Sequence, residues 1–194
     1  MEVHQGRPES MEGRQEREIR CYDFLDELGL TYWQTDHKEN AANTMQDCVE
    51  IDAVLEATLC KNLFLCNRQQ TVFYLLMMPC TKNFKTKELS SQIGSARLSF
   101  GNEEQMVELL DIHPGAVSVL GLMNDPENRV NLLVDEDVLK GEFLGCHPCV
   151  NSSSVKLYTK DVFERFLPAV HHDYRTVTLV GDHNPMEDAG HPGK

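Results

Sequence analysis

Nothing in this chain approaches the run of about 18 apolar residues that a membrane-spanning helix needs, and its 194 residues are 41% hydrophobic and 25% charged. That is the composition of an ordinary globular protein with one well-filled core. The start, "MEVHQGRPESMEGRQEREIR", lacks the basic opening and apolar middle of a secretion signal. A cytoplasmic protein without a membrane partner is the expectation. Positive charge is scarce, with 18 Lys and Arg against 31 Asp and Glu and a net charge of −13. Sequence-blind binding of nucleic acid is thereby excluded unless a local basic patch overcomes phosphate repulsion. The seven cysteines are odd in number and irregularly spaced, unlike the paired framework of a small secreted domain. Also missing are G-x-S-x-G, the P-loop and G-x-G-x-x-G, so the usual signals of a serine hydrolase, a nucleotidase or a dinucleotide-binding protein are absent.

What is present reads as helices interleaved with strands. Residues 1–14 have almost no apolar periodicity and read as a mobile leader. One domain is expected over 15–180 and a flexible tail over 181–194. Ile19, Tyr22, Leu25 and Leu28 recur at helical spacing before Gly29, a typical helix stop. "LTYWQTDH" reads as a strand and "TMQDCVEIDAVLEA" as a helix capped by Thr44. "TLCKNLFLCN" and "TVFYLLMMP" form a plausible hairpin of central strands, which puts Lys61 among apolar neighbours, where an unpaired ammonium is expensive. "KTKELSSQIG" and "NEEQMVELLDI" read as helices, the second capped by Asn102 with acids in its first turn. "HPGAVSVLGLMND" is expected to be a loop leading into a short buried strand. Strand candidates follow in "RVNLLVDEDVL", "EFLGCHPCV" and "VKLYT", and "TKDVFERFLPAV" closes the core as a helix. The fold class is α+β: a mixed, largely antiparallel sheet packed with helices.

Two groups invite a chemical reading. Cys146-His147-Pro148-Cys149 matches C-x-x-C, but a redox motif of this kind needs its first cysteine at a helix N-terminus, and "VNSSSVKLY" reads as loop and strand. A zinc site needs two further ligands at compatible spacing, and no second C-x-x-C exists. No metal and no cofactor are expected. His147 gains interest from Asn151, Ser152 and Ser153, which follow it in the same loop. The second group is Lys82, Lys85, Lys87 and Arg97, which composition alone leaves open between a solvated helix start and an anion-binding patch.

In order along the chain, "CKNLFL", "ARLSF", "HPGAVSVLGLMND", "VNLLVDEDVL" and "GCHPCVNSSSVKL" resemble the YbaK/prolyl-tRNA synthetase-associated editing domain family, particularly its free-standing prolyl-tRNA deacylases. The resemblance covers roughly residues 36–167. It implies a sheet partly curled into a barrel and surrounded by helices, and an enzyme that hydrolyses the ester of mischarged tRNA, most typically Ala-tRNA(Pro), as a second sieve. Lys61 matches the family's lysine, implied to bind the tRNA end and hold the ester, and Asn62 and Phe64 lie beside it in the same motif. His147 and Asn151 match the G-[FY]-H-P-x-x-N loop, with Cys146 in place of the aromatic residue. Gly115 heads the G-x-x-x-P loop, implied to stabilise an oxyanion, and Val119 stands where the family has proline, ahead of Gly121. Asn62, Phe64, Val119, Gly121, Cys146 and Asn151 are the implied substrate-binding residues, around the catalytic Lys61, His147 and Gly115. Lys82, Lys85, Lys87 and Arg97 become implied tRNA phosphate contacts, and tRNA and prolyl-tRNA synthetase become the implied partners. The competing class is a non-catalytic aminoacyl-tRNA-binding or regulatory protein on the same fold.

Overall fold

A computed structural model describes residues 1–37, 50, 51 and 53–181. The tail read over 181–194 lies outside this range but for Gly181, and so does most of the helix read from Thr44, of which residues 50, 51 and 53–55 are described and helical. Among the described residues, nine strands form one mixed sheet: β1 (His4–Gln5), β2 (Tyr32–Asp36), β3 (Thr58–Cys66), β4 (Phe73–Pro79), β5 (Ser99–Phe100), β6 (Val130–Asp135), β7 (Phe143–Cys146), β8 (Ser153–Tyr158) and β9 (Tyr174–Val177). Their spatial order is β1-β2-β8-β7-β3-β4-β6-β9, and β5 pairs with β3. The pairs β3/β7, β4/β6 and β6/β9 are parallel and the others antiparallel. The helices are α1 (Glu16–Glu27), α2 (Thr86–Ile93), α3 (Glu103–Leu110) and a final helical run over 159–169. Among the described residues no helix is long and apolar enough to cross a membrane.

Strand alternation divides the core between the two faces of the sheet. Phe64 and Cys66 of β3 and Phe73, Leu75 and Met77 of β4 face the larger cluster, together with Tyr22 and Leu25 of α1 and Leu109 and Leu110 of α3. Leu65, Leu76, Met78 and Leu133 face the other side, where they meet Leu89 of α2. The local signals for the helices are visible. Asn102 and Gln105 make a reciprocal capping box at the start of α3, and Gly29, with φ 63°, follows the end of α1.

Three segments differ from the sequence reading. Residues 1–14 are not a loose leader here: β1 pairs with β2, Arg7 bridges Asp23 and Asp26 at 2.5 and 2.7 Å, and Arg14 bridges Glu18 and Asp36 at 2.5 and 2.6 Å. Ion pairs and strand addition hold this polar segment, which is why apolar periodicity does not reveal it. The second part of "HPGAVSVLGLMND" is a 3₁₀ helix, Val119–Asn124, rather than a strand. Ser118 caps it by accepting the Leu120 N–H at 3.2 Å. Finally, the short β9 escapes the pattern reading because only Val177 of its four residues is buried.

Candidate active site

The parallel pairing of β3 with β7 builds the site. Thr58 lies opposite Leu144 and Leu59 opposite Gly145. Continued by two residues, this register sets Cys60 beside Cys146 and Lys61 beside His147, so two motifs far apart in the sequence meet where the strands part. There a pocket of about 130 Å³ is lined by residues from β3 (Leu59, Cys60, Lys61, Asn62), from the end of β7 (Cys146, His147), by Cys80, and by Gly115 and Val117 of the loop after α3. Ligand pockets commonly exceed about 300 Å³, so this one suits a small group. Larger grooves lie elsewhere, one of about 550 Å³ along β6 and β9, but they do not gather these residues.

Each polar group at the pocket has a defined state. Lys61 lies on the face of β3 that looks toward α2, and its Nζ donates to the Lys82 carbonyl, an anchor that directs the ammonium. Asn62 Nδ2 donates to the Cys60 carbonyl at 3.2 Å, while its Oδ1 is buried without a hydrogen-bond partner among the described residues. A buried acceptor left unpaired costs about 1–3 kcal/mol, which a donor that reached this atom would recover. His147 Nδ1 lies 2.9 Å from the Ser153 carbonyl. A carbonyl can only accept, so Nδ1 carries the hydrogen and Nε2 keeps the lone pair of the neutral ring. Burial lowers the His147 pKa, opposed by that backbone bond, and nearby His37 lowers it further. His147 is therefore neutral at pH 7. Gly115 has φ 87° and follows Pro114 in a turn closed by Ala116 N–H to the His113 carbonyl at 3.1 Å. Proline followed by glycine in these central positions is the type II pattern.

Cys146 is 2% exposed, and burial pushes its thiol up to about 12 despite an opposing hydrogen bond with Ser118. It is thus a thiol, not a nucleophilic thiolate, at neutral pH. Cys149 hydrogen-bonds Cys21, so the C-x-x-C cysteines face different neighbours, and no helix begins at Cys146. Among the described residues no group of three or more His, Cys, Asp or Glu is placed to hold a metal ion.

Of the expected site residues, Lys61, Asn62, Gly115, Cys146 and His147 converge on the pocket. Phe64 does not: it points into the larger core, 2% exposed, and stacks on Phe73 at 5.7 Å. Val119 is fully buried in that core. Gly121 serves packing, since a Cβ there would stand 2.4 Å from Ile112 Cδ1. Asn151 is not among the lining residues. Lys82 is spent on the protein, bridging Asp135 at 2.9 Å and Asp137 at 2.6 Å, whereas Lys85, Lys87 and Arg97 share a separate groove.

The sequence reading missed several contributors. His37, at the end of β2, stacks edge-on to His147 with centroids 6.0 Å apart, and its Nε2 lies 2.9 Å from Ser154 Oγ. Only the β2/β8 pairing, which sets Asp36 against Ser153, brings it there. Leu59, Cys60, Cys80 and Val117 give the pocket an apolar, thiol-lined wall, and nothing in their local sequence marks them.

Comparison with known proteins agrees with this geometry. The family model described as aminoacyl-tRNA editing domain matches residues 39–164. The chain is 29% identical over 155 residues to the prolyl-tRNA editing protein ProX of Acetoanaerobium sticklandii, covering 80% of this chain and 93% of that one. It is 30% identical over 117 residues to the mouse (Mus musculus) prolyl-tRNA synthetase associated domain-containing protein 1, covering 58% of this chain and 68% of that one. Among solved structures, a candidate trans-editing enzyme for prolyl tRNA synthetase superposes with a TM-score of 0.61 at 13% identity, covering 85% of this chain and 98% of that one. This last likeness shows the mixed α+β fold.

Proposed function

Because the chain belongs to the aminoacyl-tRNA editing domain family, and is an aminoacyl-ester hydrolase by that membership, we propose that it acts in trans on tRNA mischarged by prolyl-tRNA synthetase and removes alanine from proline tRNA. The observation that carries this reading is the pocket of about 130 Å³ lined by Lys61, Asn62 and His147, with Asn62 Oδ1 buried and lacking a hydrogen-bond partner among the described residues. An α-ammonium is the donor that this oxygen lacks. The alanine methyl group then meets the apolar wall of Leu59, Cys60, Cys80, Val117 and Cys146.

An aminoacyl ester is already activated, so positioning and a few charges suffice for its hydrolysis. His147 Nε2 accepts a proton from water as the water attacks the ester carbonyl. The Lys61 ammonium and the main chain around Gly115 stabilise the negative charge that develops on the carbonyl oxygen. The acyl C–O bond breaks, and the leaving ribose oxygen takes the proton that His147 received. No covalent enzyme intermediate is required, and the high pKa of Cys146 argues against one.

Size selects the substrate. One extra methylene in a tight apolar pocket is worth about 10- to 200-fold in discrimination. Release rates from proline tRNA carrying alanine, serine, cysteine, threonine or proline test this directly: alanine is released fastest and proline is retained. Equal release of proline would overturn the assignment.

The neutral state of His147 sets the pH dependence. Its lowered pKa means that the ring keeps its Nε2 lone pair down to a pH below about 6.5, the unperturbed imidazole value. Acidification through the lowered pKa removes the base, so the acid limb of kcat/KM falls below that pH and is lost in His147→Gln. A limb that persists unchanged in the variant contradicts the role given to His147.

A further inference from the structure

The ring of His147 is held from behind. Its Nε2 keeps the lone pair because Nδ1–H is bound to the Ser153 carbonyl at 2.9 Å; with the hydrogen on Nε2 instead, the ring could not take a proton from water at that atom. The position of Ser153 therefore decides whether His147 can act as a base. Ser153 is fully buried and opens β8, opposite Asp36 at the end of β2. One residue further along, His37 N–H donates to the Ser152 carbonyl at 3.0 Å, which ties the loop after His147 to the same strand end.

Two arms reach Ser153 from one arginine. Arg14, in the segment before α1, donates from Nη2 to Asp36 Oδ2 at 2.6 Å and from Nη1 to Asp36 Oδ1 at 3.1 Å. A two-bond grip of this kind fixes the carboxylate in orientation as well as in place. The same Nη1 donates to Glu18 Oε1 at 2.5 Å. Glu18 is 2% exposed and stands one turn of α1 ahead of Tyr22, whose hydroxyl hydrogen-bonds it and lies 3.1 Å from Ser153 Oγ, a second hydrogen bond. One arm thus runs from Arg14 to Asp36 and through the β2/β8 pairing to Ser153; the other runs from Arg14 through Glu18 and Tyr22 to the Ser153 hydroxyl.

None of Arg14, Glu18, Tyr22 and Asp36 lines the pocket, and all four precede residue 39, where the match to the family model begins. They touch the site only through Ser153. Groups that lock a reacting side chain in this way act on its geometry and tautomer, not on the substrate.

We propose that Arg14 is a positioning residue for the hydrolysis: by clamping Asp36 and Glu18 it holds Ser153 where its carbonyl keeps His147 in the Nδ1–H form. The proposal rests on reading His147 as the base. It gives the segment before α1, which its composition marks only as polar, a part in the reaction.

The test reads the tautomer and the rate side by side at pH 7. Nitrogen NMR of the imidazole rings, with the His147 signals assigned by their loss in His147→Gln, shows the hydrogen on Nδ1 in the wild type. Arg14→Met loses that single-tautomer signature and releases alanine from mischarged proline tRNA about tenfold more slowly or worse, since a displacement of about 1 Å can cost about 100-fold. The protein concentration that half-saturates single-turnover release stays as in the wild type, because Arg14 does not line the pocket. Arg14→Met strands the buried Glu18 carboxylate, so Arg14→Met/Glu18→Gln is measured beside it and shows the same losses without the stranded charge. Tyr22→Phe keeps its ring stacked on Tyr32, cuts one arm and slows release about threefold to tenfold. Arg7→Met breaks the other ion pairs of the segment, to Asp23 and Asp26, and keeps both tautomer and rate. The brace is overturned if the wild-type ring carries its hydrogen on Nε2, if the double variant and Tyr22→Phe keep the wild-type tautomer and rate, or if Arg7→Met loses as much as they do. A tautomer that depends on Arg14, in a protein that releases no alanine, sustains the brace and overturns the hydrolysis. Release with a tautomer independent of Arg14 overturns the brace alone.

Discussion

Lys61→Met lowers the rate of alanine release from mischarged proline tRNA by about 100-fold or more, the scale on which a single group stabilising an oxyanion acts. Methionine keeps most of the stem and removes the charge. The fold is kept, because the side chain is partly exposed and losing its hydrogen bond to the Lys82 carbonyl costs about 1–3 kcal/mol. The separation between lost chemistry and kept fold is the informative part. Single-turnover rates beside thermal melts measure both, and a variant with the wild-type rate would remove Lys61 from the reaction.

Lys82→Met has the opposite profile. Asp135 is fully buried, and both its oxygens accept from Lys82 Nζ, at 3.0 and 2.9 Å. The same ammonium also donates to the Leu179 carbonyl at 2.6 Å and pairs with Asp137. Burial works against the charge on Lys82, yet the hydrogen bonds that it donates to Asp137 and Asp135 raise its pKa overall. Removing one partner of a buried pair costs about 3–5 kcal/mol, which for a chain of this size lowers Tm by about 10 °C. Adding Asp135→Asn recovers much of the loss, since the stranded charge then disappears. A single variant as stable as wild type would show that this cluster does not brace the sheet. The cluster also bears on the site, because the carbonyl of Lys82 is the anchor for Lys61.

The helices and hairpins were legible where one face or one turn dictates them. Asn102, Gly29 and the alternation in β3 and β4 each act locally. Lys61 and His147 each stand out locally, one as a charge in an apolar strand and the other by its polar loop, but that they share a site is legible only through motif resemblance, because their meeting depends on a parallel β3/β7 pairing between distant segments, and no local pattern encodes such pairing. The same reason hid His37 and Cys80. Phe64, Val119 and Gly121 show the reverse error: they belong to the motifs but pack inside the protein, where adjacency in sequence gives no access to a pocket. Lys82 misled differently. A lysine in a basic run looks like a phosphate contact until the fold brings Asp135 and Asp137 against it.

The most direct test of the central claim is single-turnover release of alanine from proline tRNA carrying alanine, with wild-type protein in excess, set beside the spontaneous rate and beside proline tRNA carrying proline. The small pocket around Lys61, Asn62 and His147 predicts rapid release of alanine while proline stays attached. Alanine release no faster than the spontaneous rate would contradict it.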